Sequence, residues 1–215
     1  MGKRLAVVVV FFMLAGVLFA QTEPKKANVR PSPAPVAAEP FDKADVKAMA
    51  GQCVTLDTEA GQIVMEMFPD SAPETVRNFL NLAAIGALDT TVFSRVVPGF
   101  VIQGGDLYTR QGKMTAALGQ RARKTIPDEP NKILHERGIV SMARPDEPNQ
   151  ATTNFFILVA AAPYLDGKFA AFGRVTKGMD VVDAINKAAV TDEKPEKPVR
   201  IRKASLAGCV ANAAQ

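Results

Sequence analysis

The chain has 215 residues, enough for one domain with a full hydrophobic core and an appendage. Its single His and two Cys are too few for a protein-built zinc or copper site, so no metal and no cofactor are expected. The formal charge is +4 and falls to +2 once Lys3 and Arg4 are set aside as part of a leader, a bias too weak for nucleic-acid binding.

Lys3 and Arg4 precede Leu5–Ala20, which is almost wholly apolar, and Gln21-Thr22-Glu23 turns polar again. The apolar run falls short of the ~20 residues that span a bilayer comfortably. A signal peptide over residues 1–20 is therefore expected, cut near Gln21, which implies a periplasmic or secreted protein. The alternative is an uncleaved membrane anchor through residues 5–20, because Leu18 stands where signal peptidase prefers a small residue. Residues 21–47 carry Pro24, Pro31, Pro33, Pro35 and Pro40 without apolar periodicity and read as an extended linker. A short helix over Phe41–Ala50 leads into a folded domain over residues 48–212.

From Cys53 the pattern becomes globular. Val54–Asp57 and Gln62–Phe68 flank the turn Glu59-Ala60-Gly61 and read as a hairpin. Ser71 and Glu74 are expected to form a capping box for a helix with Ala72, Val76, Phe79, Leu80 and Ala83 on one face, stopped by Gly86. Strands are expected over Val92–Val97, Phe100–Gln103, Gly138–Ala143, Phe155–Val159, Ala170–Val175 and Val199–Arg202, with a second helix over Met179–Ala188. Many strands with two distant helices point to a mainly β fold, closed and helix-capped, rather than an alternating α/β sheet.

Ordinary catalytic sets are hard to find. His135 sits in the charged stretch Leu134–Arg137, so Ser94 and Ser141 have no evident base, and His135 reads as a hydrogen-bonded structural residue. Gly104-Gly105 lacks the Lys of a phosphate loop and reads as a tight turn, and Asp128-Glu129 reads as loop charge rather than an acid/base pair.

The informative stretch is Phe93-Ser94-Arg95-Val96-Val97-Pro98-Gly99-Phe100-Val101-Ile102-Gln103-Gly104-Gly105-Asp106. It resembles the signature of the cyclophilin-type peptidyl-prolyl cis-trans isomerases. Gly138–Ala143, Asn154–Ile157, Tyr164–Lys168 and Phe172–Val175 follow in the family's order, so the likeness covers Cys53 to Leu206. The resemblance implies a closed eight-stranded antiparallel barrel capped by two α-helices, with a proline-binding groove on its outer wall. It implies an isomerase of X-Pro bonds that assists folding of exported proteins; the alternative is a proline-peptide binding or chaperone module with little turnover. Its partners would be proline-containing polypeptides, with no nucleic acid, a membrane only if the signal is uncleaved, and a monomeric state.

By the same resemblance Arg95 is the catalytic donor. Phe100, Val101, Phe156, Leu165 and Phe169 line the proline pocket, Gln103 supports the substrate and the arginine, and the main chain at Ala143 and Arg144 pairs with an extended peptide. Asn154 stands where cyclophilins often carry Gln, Phe169 where many carry His, and Tyr164 where cyclosporin-sensitive members carry Trp, so tight cyclosporin binding is not expected. Pro145–Asn149 reads as a loop insertion. Cys53 and Cys209 flank the first and last strands, which are antiparallel neighbours in cyclophilin barrels, leaving two readings: a disulfide or two free thiols. Chain entropy would set the bridge's contribution at roughly 4–5 kcal/mol.

Overall fold

Strands β1 (Gln52–Thr58) and β2 (Gly61–Met67) put alternate residues inside: Val54, Leu56, Ile63 and Met65 are fully buried, while Thr55, Asp57, Gln62 and Glu66 face out. The remaining strands are β3 (Arg95–Val97), β4 (Val101–Gly104), β5 (Ile139–Met142), β6 (Phe155–Leu158), β7 (Ala171–Lys177), a separate small hairpin of β8 (Val190–Thr191) and β9 (Lys194–Pro195), and β10 (Ile201–Gly208). The structure, a computed structural model, describes Gly2 and residues 38–209; the expected signal peptide and most of the Pro-rich stretch lie outside the described residues.

Eight strands form one antiparallel sheet in the order β10-β1-β2-β7-β5-β6-β4-β3. The sheet curls until its edges meet. The segments just before β3 and β10 join through the bridge Val92–Arg200, with Phe93 N–H donating to Val199 O at 3.0 Å and Ile201 N–H to Thr91 O at 2.8 Å. Closure is thus a short contact rather than a continuous ladder. β10 runs past the expected Arg202 to Gly208, paired with β1 from Gln52 onward.

Two long helices sit where the periodicity placed them, α2 (Pro73–Ala84) and α4 (Met179–Asn186). Two short ones accompany them: α1 (Val46–Met49), inside the expected Phe41–Ala50 helix, and α3 (Ala116–Arg121), which the sequence reading did not anticipate. α2 sends Phe79 into the barrel, where its ring centroid lies 5.1 Å from that of Phe155 and 5.0 Å from that of Phe172. Each such buried aromatic contributes a few kcal/mol.

The capping box is a correction. Pro73 opens the helix and Ala72 occupies the cap, so Ser71 lies one residue too early and makes no capping bond. Glu129, 55 and 54 residues away, accepts from Glu74 N–H at 2.9 Å and Thr75 N–H at 2.7 Å. Its charge also suits the positive helix end. Glu74 instead pairs with Arg77 at 2.7 Å. Gly86 does stop the helix, at φ +65°, with its N–H on Ala83 O.

The segment before β1 is anchored to the helices. Glu39 pairs with the buried Arg121 at 2.7 Å, and Phe41 N–H donates to Asn81 Oδ1 at 2.7 Å. Contacts with the domain therefore begin within the stretch read as linker. Cys53 and Cys209 form a disulfide with Cα atoms 4.9 Å apart, closing a span of 156 residues and joining the beginning of the barrel to its end. Among the described residues no helix is long and apolar enough to cross a membrane.

Candidate functional site

Strand β6 is apolar on both faces, and β4 is apolar at its Val101-Ile102 start. Ile102, Phe155 and Ile157 point into the barrel core, whereas Val101, Phe156 and Leu158 join Leu165 and Ala171 in a second cluster on the outer wall. The outer cluster is flanked by the half-buried Phe100 and Phe169. It floors an open cleft of about 200 Å³ lined by Arg95, Phe100, Val101, Gln103, Ala143, Arg144, Phe156, Tyr164, Leu165 and Phe169. Every residue assigned to the groove from the sequence therefore lies at this cleft except Asn154. That residue lines the adjoining polar hollow with Ser94, Asp106 and Thr152, and its carbonyl accepts from Ala143 N–H at 3.0 Å.

Sheet register builds the polar edge. Arg95 on β3 lies opposite Gln103 on β4, and Gln103 lies opposite Phe156 on β6, so the cation, the amide and the ring form one row across three strands. Gln103 Oε1 accepts from Arg95 Nη1 at 3.2 Å, and Glu193 Oε2 accepts from Arg95 Nε at 2.6 Å. The bond from Arg95 holds the Glu193 carboxyl below the usual carboxylate range.

The β3–β4 turn, which presents Phe100, is held from beneath by a buried amide. Asn186 at the end of α4 accepts from Gly99 N–H at 2.8 Å and donates to Val97 O at 2.9 Å and Val101 O at 3.0 Å. Gly99 turns at φ +73°, a conformation that disfavours any side chain with a Cβ.

The far wall follows β6. A single 3₁₀ turn, Pro163–Leu165, sets Tyr164 5.8 Å from Phe100 and turns Leu165 inward, and Phe169 stands edge-on to Phe156 at 6.0 Å between ring centroids. The Arg144 guanidinium carbon lies 5.2 Å from the Phe169 ring centroid, and its Nε lies 3.4 Å from Asp128, so Arg144 brings a cation to the rim beyond its main chain.

Asp166 ties this wall to the barrel. It accepts from His135 N–H at 2.7 Å and from the His135 ring at 3.0 Å. These bonds, the backbone one first, hold its carboxyl below the ordinary range. His135 Nε2 lies 3.1 Å from Ser141 Oγ, so Ser141 does have a histidine beside it, contrary to the sequence reading. The trio is nonetheless structural. Ser141 and His135 are buried on the wall behind the cleft, and the Ser141 hydroxyl donates to Ala170 O at 2.8 Å. A nucleophile in that position would have no route to a substrate.

A larger hollow of about 540 Å³ lies over the disulfide between β1, β2, β7 and β10. The Glu66–Arg174 ion pair at 2.5 Å and exposed strand residues wall it, and it has no aromatic floor. The smaller cleft combines the apolar floor with convergent polar groups. Sequence reasoning missed Glu193, Asn186, Asp128 and Glu129 as supports. Each acts on a partner at least 16 residues away, with no local pattern to mark it.

A protein-family model for the cyclophilin type peptidyl-prolyl cis-trans isomerase matches residues 53–206. The peptidyl-prolyl cis-trans isomerase ppi1 of Schizosaccharomyces pombe is 38% identical over 154 residues, covering 70% of this chain and 96% of that one. A probable peptidyl-prolyl cis-trans isomerase of Brucella suis is 36% identical, covering 71% of this chain and 81% of that protein. The crystal structure of a Cryptosporidium parvum cyclophilin type isomerase, obtained in the presence of the dipeptide Ala-Pro, superposes with a TM-score of 0.63 at 29% identity. It covers 72% of this chain and 98% of that one. The chain belongs to the cyclophilin-type peptidyl-prolyl cis-trans isomerases, and it is an isomerase of the X-Pro bond.

Proposed function

We propose that the cleft binds a proline-containing polypeptide with the proline ring on Phe156, Leu165 and Phe169, and that Arg95 is the catalytic donor. An X-Pro amide resists rotation with a barrier of ~18–20 kcal/mol because its C–N bond is partly double. Twisting removes that resonance and localises a lone pair on the prolyl nitrogen. A permanently charged guanidinium held at that atom gains strength only as the bond twists, so it favours the transition state over the ground state. No nucleophile or proton transfer is required. Gln103 restrains the guanidinium, and the main chain at Ala143 and Arg144 supplies pairing groups for an extended substrate.

The observation that carries this reading is the row of Arg95, Gln103 and Phe156 across neighbouring strands, beside an apolar cleft open to solvent. Arg95→Lys tests it by exchange NMR on an X-Pro peptide. Turnover should remain far below wild type, because a flexible ammonium does not reproduce the planar fork. Full turnover by Arg95→Lys contradicts the reading.

The substrates we propose are exported proteins folding outside the cytoplasm, with this chain acting as a monomer. The apolar run Leu5–Ala20 supports export, and the Cys53–Cys209 disulfide suits an oxidising compartment. N-terminal sequencing of the native protein should find a terminus near Gln21 in a soluble periplasmic or secreted fraction. An intact Met1 in a soluble cytosolic fraction refutes export, and an intact Met1 in the membrane fraction refutes cleavage.

A further inference from the structure

The guanidinium of Arg95 is gripped from two sides, and only the Gln103 side belongs to the barrel. The other grip comes from the tip of the β8–β9 hairpin, 98 residues along the chain, where Glu193 Oε2 takes the Nε–H at 2.6 Å. The hairpin is also tied down beside the arginine: Val96 N–H donates to Glu193 O at 2.8 Å. Thr191 pairs with Lys194, so Asp192 and Glu193 are the two central residues of the turn, at φ +49° and +63°. Two positive φ values in a two-residue loop define a turn in which Asn-Gly is favoured and a long side chain is strained. A hairpin needing only to reverse direction would have little use for Glu at this position. The strained turn delivers a carboxylate to the arginine that faces Gln103 on the polar edge of the apolar cleft.

The geometry shows what the carboxylate adds. Side chains of Arg95 and Glu193 are 40% and 50% exposed, so neither is fixed by packing. A single bond from Nη1 to Gln103 at 3.2 Å leaves the planar fork free to rock about its long stem. A second acceptor on Nε, from the opposite side, fixes the plane. Among the described residues Nη2 makes no hydrogen bond, which leaves that edge of the fork for the cleft.

We propose that Glu193 is the positioning residue for Arg95: its carboxylate, presented by the strained Asp192-Glu193 turn, locks the guanidinium plane in the orientation that meets the twisting X-Pro bond. This rests on the reading of Arg95 as the catalytic donor. Glu193 itself touches no substrate and works through the arginine.

The test is a double-mutant cycle on the full chain, with isomerisation rate and peptide Kd measured separately by exchange NMR on one X-Pro peptide. Glu193→Ala should lower the rate roughly 10-fold, as a misplaced catalytic group does, while leaving Kd unchanged. Glu193→Gln should recover part of the rate, because its amide oxygen still accepts the Nε–H. Adding Glu193→Ala to Arg95→Ala should cost nothing further. The pair Asp192→Asn and Glu193→Gly relaxes the turn and should raise Tm while lowering the rate as far as Glu193→Ala. Wild-type turnover in Glu193→Ala or in the relaxed turn, or an equal loss with and without Arg95, overturns the proposal. An active Arg95→Ala protein overturns the reading beneath it as well, whereas an inactive Arg95→Ala beside a fully active Glu193→Ala removes only the role of Glu193.

Discussion

Phe155 and Phe156 are neighbours on one strand, identical in chemistry, and they serve opposite faces of the sheet. Phe155 is fully buried, with Phe79 from α2 at 5.1 Å and Phe93 at 6.3 Å between ring centroids. Phe156 packs on the outer side in the cluster with Leu165 and Phe169 and lines the open cleft. The inner face is closed by a helix and carries stability. The outer face is closed by loops and leaves room for a ligand. Strand pleating makes the two independent to first order, because one residue changes its surroundings without moving the next.

The largest effect expected from that division is on the inner face. Phe155→Ala should destabilise the protein by about 3–5 kcal/mol in urea unfolding. Phe156→Ala should cost clearly less stability yet weaken peptide binding and turnover together, since it empties the floor of the cleft. Equal stability losses for the two would erase the distinction between the faces.

Reducing the Cys53–Cys209 bridge comes next. It pins the ends of β1 and β10, away from β4 and β6, and its loss should lower stability by about 2–4 kcal/mol, the usual yield of a bridge and less than chain entropy alone would set, while the protein that stays folded keeps its turnover. A fall in turnover larger than the folded fraction explains would couple the two regions.

A smaller effect is pH-dependent and belongs to the outer wall. His135 holds the Asp166 carboxyl below its ordinary value, so this contribution to the folded state is complete above the usual carboxylate range, around pH 4. It is lost as pH falls through the lowered folded value. Asp166→Asn should therefore be less stable than wild type at neutral pH, and the gap should narrow on acidification. A gap that does not change with pH would assign it to packing instead of charge.

The smallest concerns the rim. Tyr164 is 60% exposed beside Phe100, and its hydroxyl is no substitute for an indole N–H. Tyr164→Trp should tighten cyclosporin inhibition by about fivefold, the equivalent of one neutral hydrogen bond of about 1 kcal/mol. Equal inhibition of the two proteins would remove the reading of this position.

The two faces also differ in how far the sequence revealed them. The β1–β2 hairpin, α2 and α4 could be read from periods of two and 3.6, because each has one buried and one exposed side. Phe155–Leu158 shows no alternation, since both of its faces are covered, so local pattern marked a strand without saying which side held the cleft. The residues that line the cleft were legible through the order of motifs around Arg95–Gln103 instead. The supports were not. Glu129 capping α2, Asn186 under the β3–β4 turn and Glu193 on Arg95 each depend on where distant chain segments meet. The Ser71-Glu74 spacing satisfied a local rule that Pro73 displaced by one residue.

The most direct test of the account is Arg95→Ala, with turnover and peptide affinity measured on the same X-Pro peptide and the fold checked by circular dichroism. Arg95 sits on an exposed cleft edge, so the fold should persist and Kd should change little. Turnover should fall on the order of 10²–10³-fold, as it does when a single transition-state donor is removed. A folded Arg95→Ala protein that isomerises the peptide at the wild-type rate would contradict the assignment of Arg95 as the donor on which the catalytic account rests.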